Sequence, residues 1–390
     1  MRVIHVITRL IIGGAQENTV ASVLGLQQKP GLALHLISGP ATGPEGSLQS
    51  AFAASPQSLT LLPELVRPVN PWKDLLAWRG LIRRFRQMRP DIVHTHSGKA
   101  GFLGRLAAHR AGVPVIIHTI HGPSFGQFQG RVSNRLFLAA ERSAGKVTTH
   151  FVAVADAMSR QYLAAGIGNA AQYTRIFSGF PLPPFLSAAN DPALRARWNI
   201  AADDIVIGKI ARLFKLKGHD DLFTVAPTLI RRFPNLKFLL VGDGVWRDRF
   251  AQRARSLNLE KHFIFTGLVS PAEIPGLVGI MDLLVHLSLR EGLPRALPQA
   301  LAAARPVVAY DCDGASEVCM DNDTGFLVQP GDLKTLTERL SKLAGDQALR
   351  EQFGQRGRQF VRERFAVERM VDGLYALYRK LAAEHGIASS

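Results

Sequence analysis

Short apolar runs rich in Val, Ile and Leu alternate with longer segments of helical spacing almost from one end of the chain to the other. The runs Val3–Ile7, Ala33–Ile37, Leu59–Leu62, Ile92–Thr95, Val115–Thr119 and Phe151–Val154 predict buried strands. Between them, Gln16–Leu26, Trp72–Met88 and Ala100–Ala111 predict helices that lay one apolar face on a sheet. Apolar strands joined by such helices are what a parallel sheet covered on both faces requires. Ser178 to Phe185 then packs three prolines and a glycine into eight residues, which suits an interdomain linker. The alternation restarts with Ile205–Ile210, Lys237–Val241, Phe263–Phe265, Leu283–Leu287 and Val307–Tyr310. The pattern predicts an α/β protein of two doubly wound, Rossmann-like domains, 1–182 and 183–365, with a ligand site in the cleft between them. From Leu333 the tail reads as helical, with apolar residues at Val371, Leu374, Leu377, Tyr378 and Leu381.

Composition narrows the class. A chain of 390 residues with 47% hydrophobic and 20% charged residues folds, and its length favours more than one core. No apolar run reaches the roughly 18 residues of a membrane span. The first residues look briefly like a signal peptide, but His5, Thr8 and Arg9 interrupt the apolar stretch and no small-residue cleavage site follows. Cys312 and Cys319 are too few for a disulfide framework or a cysteine-built zinc site, and predict free thiols in the cytoplasm. The net charge of +16 calls for an anionic partner. It is uneven: residues 1–185 hold 19 basic and 7 acidic side chains, a net +12, and residues 186–390 hold 28 and 24, a net +4. Aromatics are 8% and sit mostly in apolar runs, so nucleic acid is not the expected partner.

Candidate chemistry sits where strands end. Gly13-Gly14 follows the first strand and opens a helix, where backbone lies close to a ligand or simply turns tightly. The glycine patterns of dinucleotide and P-loop sites are both missing. His94 and His96 end one strand, and His118 and His121-Gly122 end the next. No carboxylate accompanies them at convincing ligand spacing, so no metal site is expected; His94 and His118 read as buried and hydrogen-bonded, and His121 as the functional candidate. Arg212 and Lys217-Gly218 lie on a loop opening a helix, suited to gripping a diphosphate. Gly242 and Gly267 again put glycine at strand ends. The run Glu291-Gly292-Leu293-Pro294-Arg295-Ala296-Leu297-Pro298-Gln299 follows a strand, with Pro294 in the first turn of a predicted helix. A carboxylate beside a phosphate grip suits a nucleotide sugar.

In their order and spacing, Gly13-Gly14, His94–His96, His121-Gly122, Arg212, Lys217-Gly218, Glu291 and the Gly314, Glu317, Thr324-Gly325 tail resemble the retaining, metal-independent glycosyltransferases of family 4, which have the GT-B fold. The resemblance covers nearly the whole chain. It implies that Arg212 and Lys217 hold the donor diphosphate as it leaves, and that Glu291, the first glutamate of the family's E-x7-E motif, binds hydroxyls of the transferred sugar. By the same resemblance the backbone of Leu293 to Leu297 adds N–H bonds to phosphate, His121 reaches the donor sugar, and Gly13-Gly14 closes on phosphates or acceptor. The final helix, 366–390, packs back on the first domain. No cofactor or metal is implied, and a UDP-sugar is the favoured donor. Two positions depart from the family pattern: Gln299 replaces the second motif glutamate, and Arg305 stands where glycine is common.

The physical chemistry agrees with that implication. Loss of a nucleoside diphosphate builds negative charge on phosphate, which cations and helix N–H groups stabilise. No Asp-x-Asp stretch reads as a metal motif holding Mg²⁺ and no carboxylate stands out as a covalent nucleophile, so a same-face displacement with retention is expected. A nucleotide-sugar 2-epimerase of the same architecture is the alternative enzyme, and a basic nucleic-acid-binding protein the non-enzyme one. With most of the charge surplus on the first domain, an anionic acceptor or anionic lipid is the expected partner. The segment Trp72–Arg89 reads as a sheet-covering helix or as a basic amphipathic helix at the inner membrane face.

Overall fold

The computed structural model describes residues 1–41, 46–126 and 128–387, and the chain divides into two compact units. The first is Met1–Phe180 together with Val367–Ser390, and the second is Pro181–Ala366.

The first unit contains β1 (Arg2–Ile7), β2 (Ala33–Ser38), β3 (Leu59–Leu61), β4 (Ile92–His96), β5 (Val115–Ile120), β6 (His150–Ala153) and β7 (Tyr173–Arg175). They form one parallel sheet in the order β3-β2-β1-β4-β5-β6-β7. The second unit contains β8 (Ile205–Ile210), β9 (Leu236–Val241), β10 (Phe263–Gly267), β11 (Leu283–His286), β12 (Val307–Tyr310) and β13 (Gly325–Val328), also parallel, in the order β10-β9-β8-β11-β12-β13. In each sheet the order reverses between two neighbours, β1 with β4 and β8 with β11. Ligands of open α/β sheets bind beyond the carboxyl ends of such a pair. The hydrophobic pattern predicts all of these strands except β7 and β13. Both are edge strands: β7 reads Tyr-Thr-Arg, which is no apolar run, and β13 offers three apolar residues after a glycine.

The first sheet is covered on both faces. On one, Val20, Val23 and Leu26 of helix Gly14–Leu26 pack with Met370, Val371, Leu374, Leu377, Tyr378 and Leu381 of helix Val367–Glu384. The last helix therefore buries its whole apolar stripe within the first unit, each large side chain contributing about 1.5–3 kcal/mol. On the other face lie Ala77, Leu81 and Phe85 of helix Pro71–Met88 and Leu103 and Ala107 of helix Gly98–Ala111. The core of the second unit is built around stacked rings of Phe223, Phe238, Phe250 and Phe263.

The proline-rich stretch is packed rather than loose. The boundary between units falls inside it, yet Phe180 and Phe185 are buried, and Asn18 Nδ2 donates to Ser178 Oγ at 3.0 Å. Among the described residues, no helix is long and apolar enough to cross a membrane.

Candidate active site

In the second unit the site forms at the switch point between β8 and β11. The loop after β8 turns sharply because Leu216 and Gly218 adopt φ of +67° and +64°. A Cβ at position 218 would lie 2.1 Å from the Leu287 carbonyl oxygen, so both backbone and space require glycine there. Leu289 N donates to Leu216 O at 2.9 Å, clamping this loop to the segment that follows β11. Lys217 is thereby brought to a residue 74 positions away: its Nζ donates to Glu291 Oε1 at 2.5 Å. From the other side, Glu291 N donates to Asp313 Oδ2 at 2.7 Å and Gly314 N to Gly292 O at 3.1 Å. Glu291 is held from two directions before any ligand arrives.

The electrostatics are those of a buried polar pocket. Burial favours the neutral form of Glu291, but His286, whose Nε2 lies 3.6 Å from the same oxygen, and Lys217 outweigh it and hold the carboxyl well below the usual range. His286 is itself pushed down by burial, with Glu291 opposing. Lys209, inside strand β8, is 1% exposed, and its Nζ has no hydrogen-bond partner among the described residues. Burial, and then the charge of Lys217, push it down to about 7. His219 is buried with both ring nitrogens unpartnered among the described residues, and burial lowers it too. Buried polar atoms without protein partners are uncommon and mark places where a polar ligand or water bonds. Sequence reasoning misses Lys209, His219 and His286; the available signal is a basic side chain inside an apolar strand, as in Ile205–Ile210.

The other candidate residues are distributed around this pair. Arg212 is exposed, its guanidinium 5.8 Å from the Phe214 ring. Gly242, at φ +131°, lies so close to the β8 loop that a Cβ would sit 2.5 Å from Ala211 O, and it bridges to Gly267, at φ +69°. Leu293, Pro294, Ala296 and Leu297 are buried, while Arg295 and Gln299 are partly exposed. The predicted helix begins later than its proline suggests, spanning Ala296–Ala302. The Leu297 amide donates to Pro294 O at 3.2 Å, forming the turn ahead of it. Arg305 has a structural use, donating from Nη2 to Gly279 O at 2.6 Å.

In the first unit, Gly13 and Gly14 follow β1, and Gly14 opens helix Gly14–Leu26. Gly13 is extended, and a Cβ there would meet the flexible end of the Gln16 side chain at 2.9 Å, so among the described residues neither backbone nor space requires glycine. His94 and His118 are buried and hydrogen-bonded, as the sequence suggests, to Thr119 Oγ1 at 2.6 Å and Thr95 Oγ1 at 2.9 Å. His121 is partly exposed beyond β5, its Nε2 3.0 Å from His96 Nδ1. Ser97, just after β4, holds φ +67° and ψ 161°, a conformation that costs a non-glycine residue about 1–3 kcal/mol and clusters at functional sites.

Comparison with known proteins matches this chain to two family models. "Glycosyl transferases group 1" covers residues 190–360, and "Glycosyl transferase 4-like domain" covers residues 14–176. The chain is 27% identical over 292 residues to the UDP-Gal:alpha-D-GlcNAc-diphosphoundecaprenol alpha-1,3-galactosyltransferase of Escherichia coli, covering 74% of this chain and 75% of that one. It is 24% identical over 328 residues to the capsular polysaccharide biosynthesis glycosyltransferase CapM of Staphylococcus aureus, covering 82% and 84%. The crystal structure of Anabaena HepE with UDP-glucose superposes with a TM-score of 0.81 at 20% identity, over 97% of this chain and 100% of that chain. The chain belongs to the group 1, family 4 glycosyltransferases and has their GT-B fold.

Proposed function

We propose that this protein transfers a sugar from a nucleoside diphosphate sugar, a UDP-sugar by preference, to an anionic acceptor, lipid-linked or polysaccharide, with retention of configuration and without a metal ion. The observation that carries this reading is the Lys217–Glu291 pair at the switch point, with Lys209 close enough to feel both its charges and His219 that of Lys217, their nitrogens unpartnered among the described residues. Lys217 keeps two further N–H donors for a phosphate oxygen while bonded to Glu291. Arg212 adds a second cation on the same loop, and Glu291 accepts from hydroxyls of the sugar. Gln299 offers an oxygen to the ribose, and the close backbone at Gly242 and Gly267 leaves room for the nucleotide. The acceptor hydroxyl attacks the anomeric carbon on the face from which the diphosphate departs, and its proton passes to the departing phosphate oxygen. Negative charge developing there meets Arg212 and Lys217.

The donor class is supported by the UDP-galactose donor named for the E. coli relative and the UDP-glucose bound by HepE. A panel of UDP-, GDP- and ADP-sugars, followed by NMR of the product's anomeric proton, tests the reading. Turnover with a UDP-sugar, retained configuration and full activity after dialysis against a chelator are expected. An inverted product, or activity lost on chelation and restored by Mg²⁺, overturns it.

The same proposal places the protein in the cytoplasm, peripherally on an anionic membrane face, where a lipid-linked acceptor resides. Helix Pro71–Met88 leaves Trp72 69% exposed, and Trp78, Arg79, Arg83, Arg86 and Arg110 line an open groove. An aromatic tip beside clustered arginines suits anionic lipid headgroups. Co-sedimentation with anionic liposomes at low salt is expected, weakened by Trp72→Ala together with Arg83→Ala. A wild-type protein that stays in the supernatant rules the membrane role out.

A further inference from the structure

Six side chains of the first unit form one continuous hydrogen-bonded chain. Thr119 Oγ1 meets His94 Nε2 at 2.6 Å, and His94 Nδ1 meets the Tyr378 hydroxyl at 2.5 Å. That hydroxyl lies 3.0 Å from His5 Nε2, and His5 Nδ1 lies 2.9 Å from His96 Nε2. His96 Nδ1 finally meets His121 Nε2 at 3.0 Å. The chain runs from β5 through the C-terminal helix and back across β1 and β4 to the loop after β5. His5, His94, His96 and Tyr378 are each at most 1% exposed.

A neutral imidazole has one N–H and one bare nitrogen, so each ring donates on one side and accepts on the other. Burial keeps His5, His94 and His96 neutral, pushing His5 down to about 3 and the other two well below their ordinary value. Two arrangements of hydrogens run one way through the whole chain; a third, in which Tyr378 accepts from both rings, leaves its own buried hydrogen without a partner among the described residues and is excluded. In one, Thr119 donates to His94, His94 Nδ1–H to Tyr378, Tyr378 to His5, His5 Nδ1–H to His96, and His96 Nδ1–H to His121 Nε2. In the other, every donor and acceptor is reversed. The two differ at both ends.

Thr119 decides between them. It is 3% exposed, and His94 Nε2 is the one hydrogen-bond partner of its hydroxyl among the described residues. If that hydroxyl accepted, its own hydrogen would be buried without a partner among the described residues, losing a hydrogen bond that donation keeps. If it donates, only lone pairs go unused. The first arrangement therefore holds, and His121, receiving a hydrogen at Nε2, carries its own on Nδ1.

We infer that Thr119, His94, Tyr378, His5 and His96 are a positioning relay that fixes His121 in its Nδ1–H form, a hydrogen-bond donor and not a base at that atom. A catalytic use of His121 rests on the function proposed above; the relay itself does not. It makes Tyr378 of the C-terminal helix part of the equipment behind His121. A metal site is the competing use, since ligand nitrogens of His5, His94 and His96 lie within 4.8 Å of one another. All six of their ring nitrogens are already committed to the chain, however, and the rings lie partly stacked at centroid distances of 4.5–5.1 Å, which turns them beside one another.

The test is two-bond ¹H–¹⁵N correlation of the full chain labelled in histidine, with His121→Asn used for assignment. His121 is expected as a single Nδ1–H tautomer in the wild type. Tyr378→Phe, which keeps the ring and removes the hydroxyl, is expected to convert it to a mixture and to lower kcat about tenfold with little change in donor KM. His96→Asn, which keeps a polar atom where Nδ1 stands, should recover activity that His96→Leu loses. An Nε2–H tautomer of His121 in the wild type, a His121 spectrum unmoved by Tyr378→Phe, or stoichiometric zinc in the purified protein overturns the relay. Loss of the sugar-transfer reading with these tautomers intact removes only the catalytic use of His121.

Discussion

Glu291→Ala is expected to lower sugar transfer by about 10²–10³-fold while leaving the protein folded. His286 and Lys217 hold the Glu291 carboxyl well below the usual range against the opposing effect of burial, which keeps it ionised near neutral pH. It therefore acts as a fixed acceptor for donor hydroxyls, and it keeps the Lys217 ammonium in place for phosphate. Alanine removes both at once. Glu291→Gln retains an acceptor oxygen but not the charge, so its loss should be smaller, about tenfold, and should fall on kcat more than on donor KM. The side chains of Lys217 and Glu291 are 22% and 24% exposed, so the ion pair is partly screened and its removal should shift the thermal midpoint by only a few degrees. Steady-state kinetics beside circular dichroism checks this. Unchanged turnover in Glu291→Ala overturns the assignment. By the same reasoning, the acid limb of the pH–rate profile does not report Glu291: a depressed carboxyl loses its contribution only as pH falls through its folded value, far below the working range.

Much of this site is legible in the sequence because motif residues sit at strand ends. Lys217-Gly218, Glu291 and Gly242 each follow an apolar run, and a parallel sheet gathers the ends of its strands on one side. What composition and spacing do not show is which strand ends become neighbours. Lys217 and Glu291 meet because β8 pairs with β11 and Gly218 lets the loop approach Leu287, a contact between residues remote in sequence. The relay behind His121 is hidden for the same reason. His5 and Tyr378 are separated by almost the whole chain, and each alone reads as an ordinary core residue. Lys209 is hidden differently: a strand pattern tolerates one polar residue, and nothing local distinguishes a side chain that escapes to solvent from one that cannot. The start of helix Ala296–Ala302 is misplaced by its proline, since Pro294 opens a turn that leads into the helix, accepting from the Leu297 amide, and lies outside the helix itself.

The second large effect expected is a gain. Lys209→Met should stabilise the second unit by on the order of 3 kcal/mol at pH 6, and the gain should vanish above about pH 10. In the folded chain Lys209 is pushed down from 10.5 to about 7, first by burial and then by Lys217, with Glu291 and Asp221 opposing. Between those values the unfolded chain holds a proton that the folded chain has lost, so stability rises with pH across that window. Below about 7 both states are charged and the full penalty of a buried ammonium applies. Methionine has no such penalty and a similar length, so its advantage is largest at low pH and shrinks as pH climbs. Urea unfolding followed by the fluorescence of Trp198 and Trp246, both in the second unit, measures it at pH 6, 8 and 10. A difference between the two proteins that does not change with pH shows that Lys209 is not held as described. The same variant should bind UDP more weakly, because a diphosphate raises the lysine's affinity for its proton and gains a cation in return. At pH 8, where the free site is mostly neutral, binding to the wild type should then take up a proton, and binding to Lys209→Met should not. Titration calorimetry in buffers of different ionisation enthalpy separates these cases. A lysine that destabilises its own fold yet strengthens the grip on the leaving group is the kind of residue that function maintains against stability.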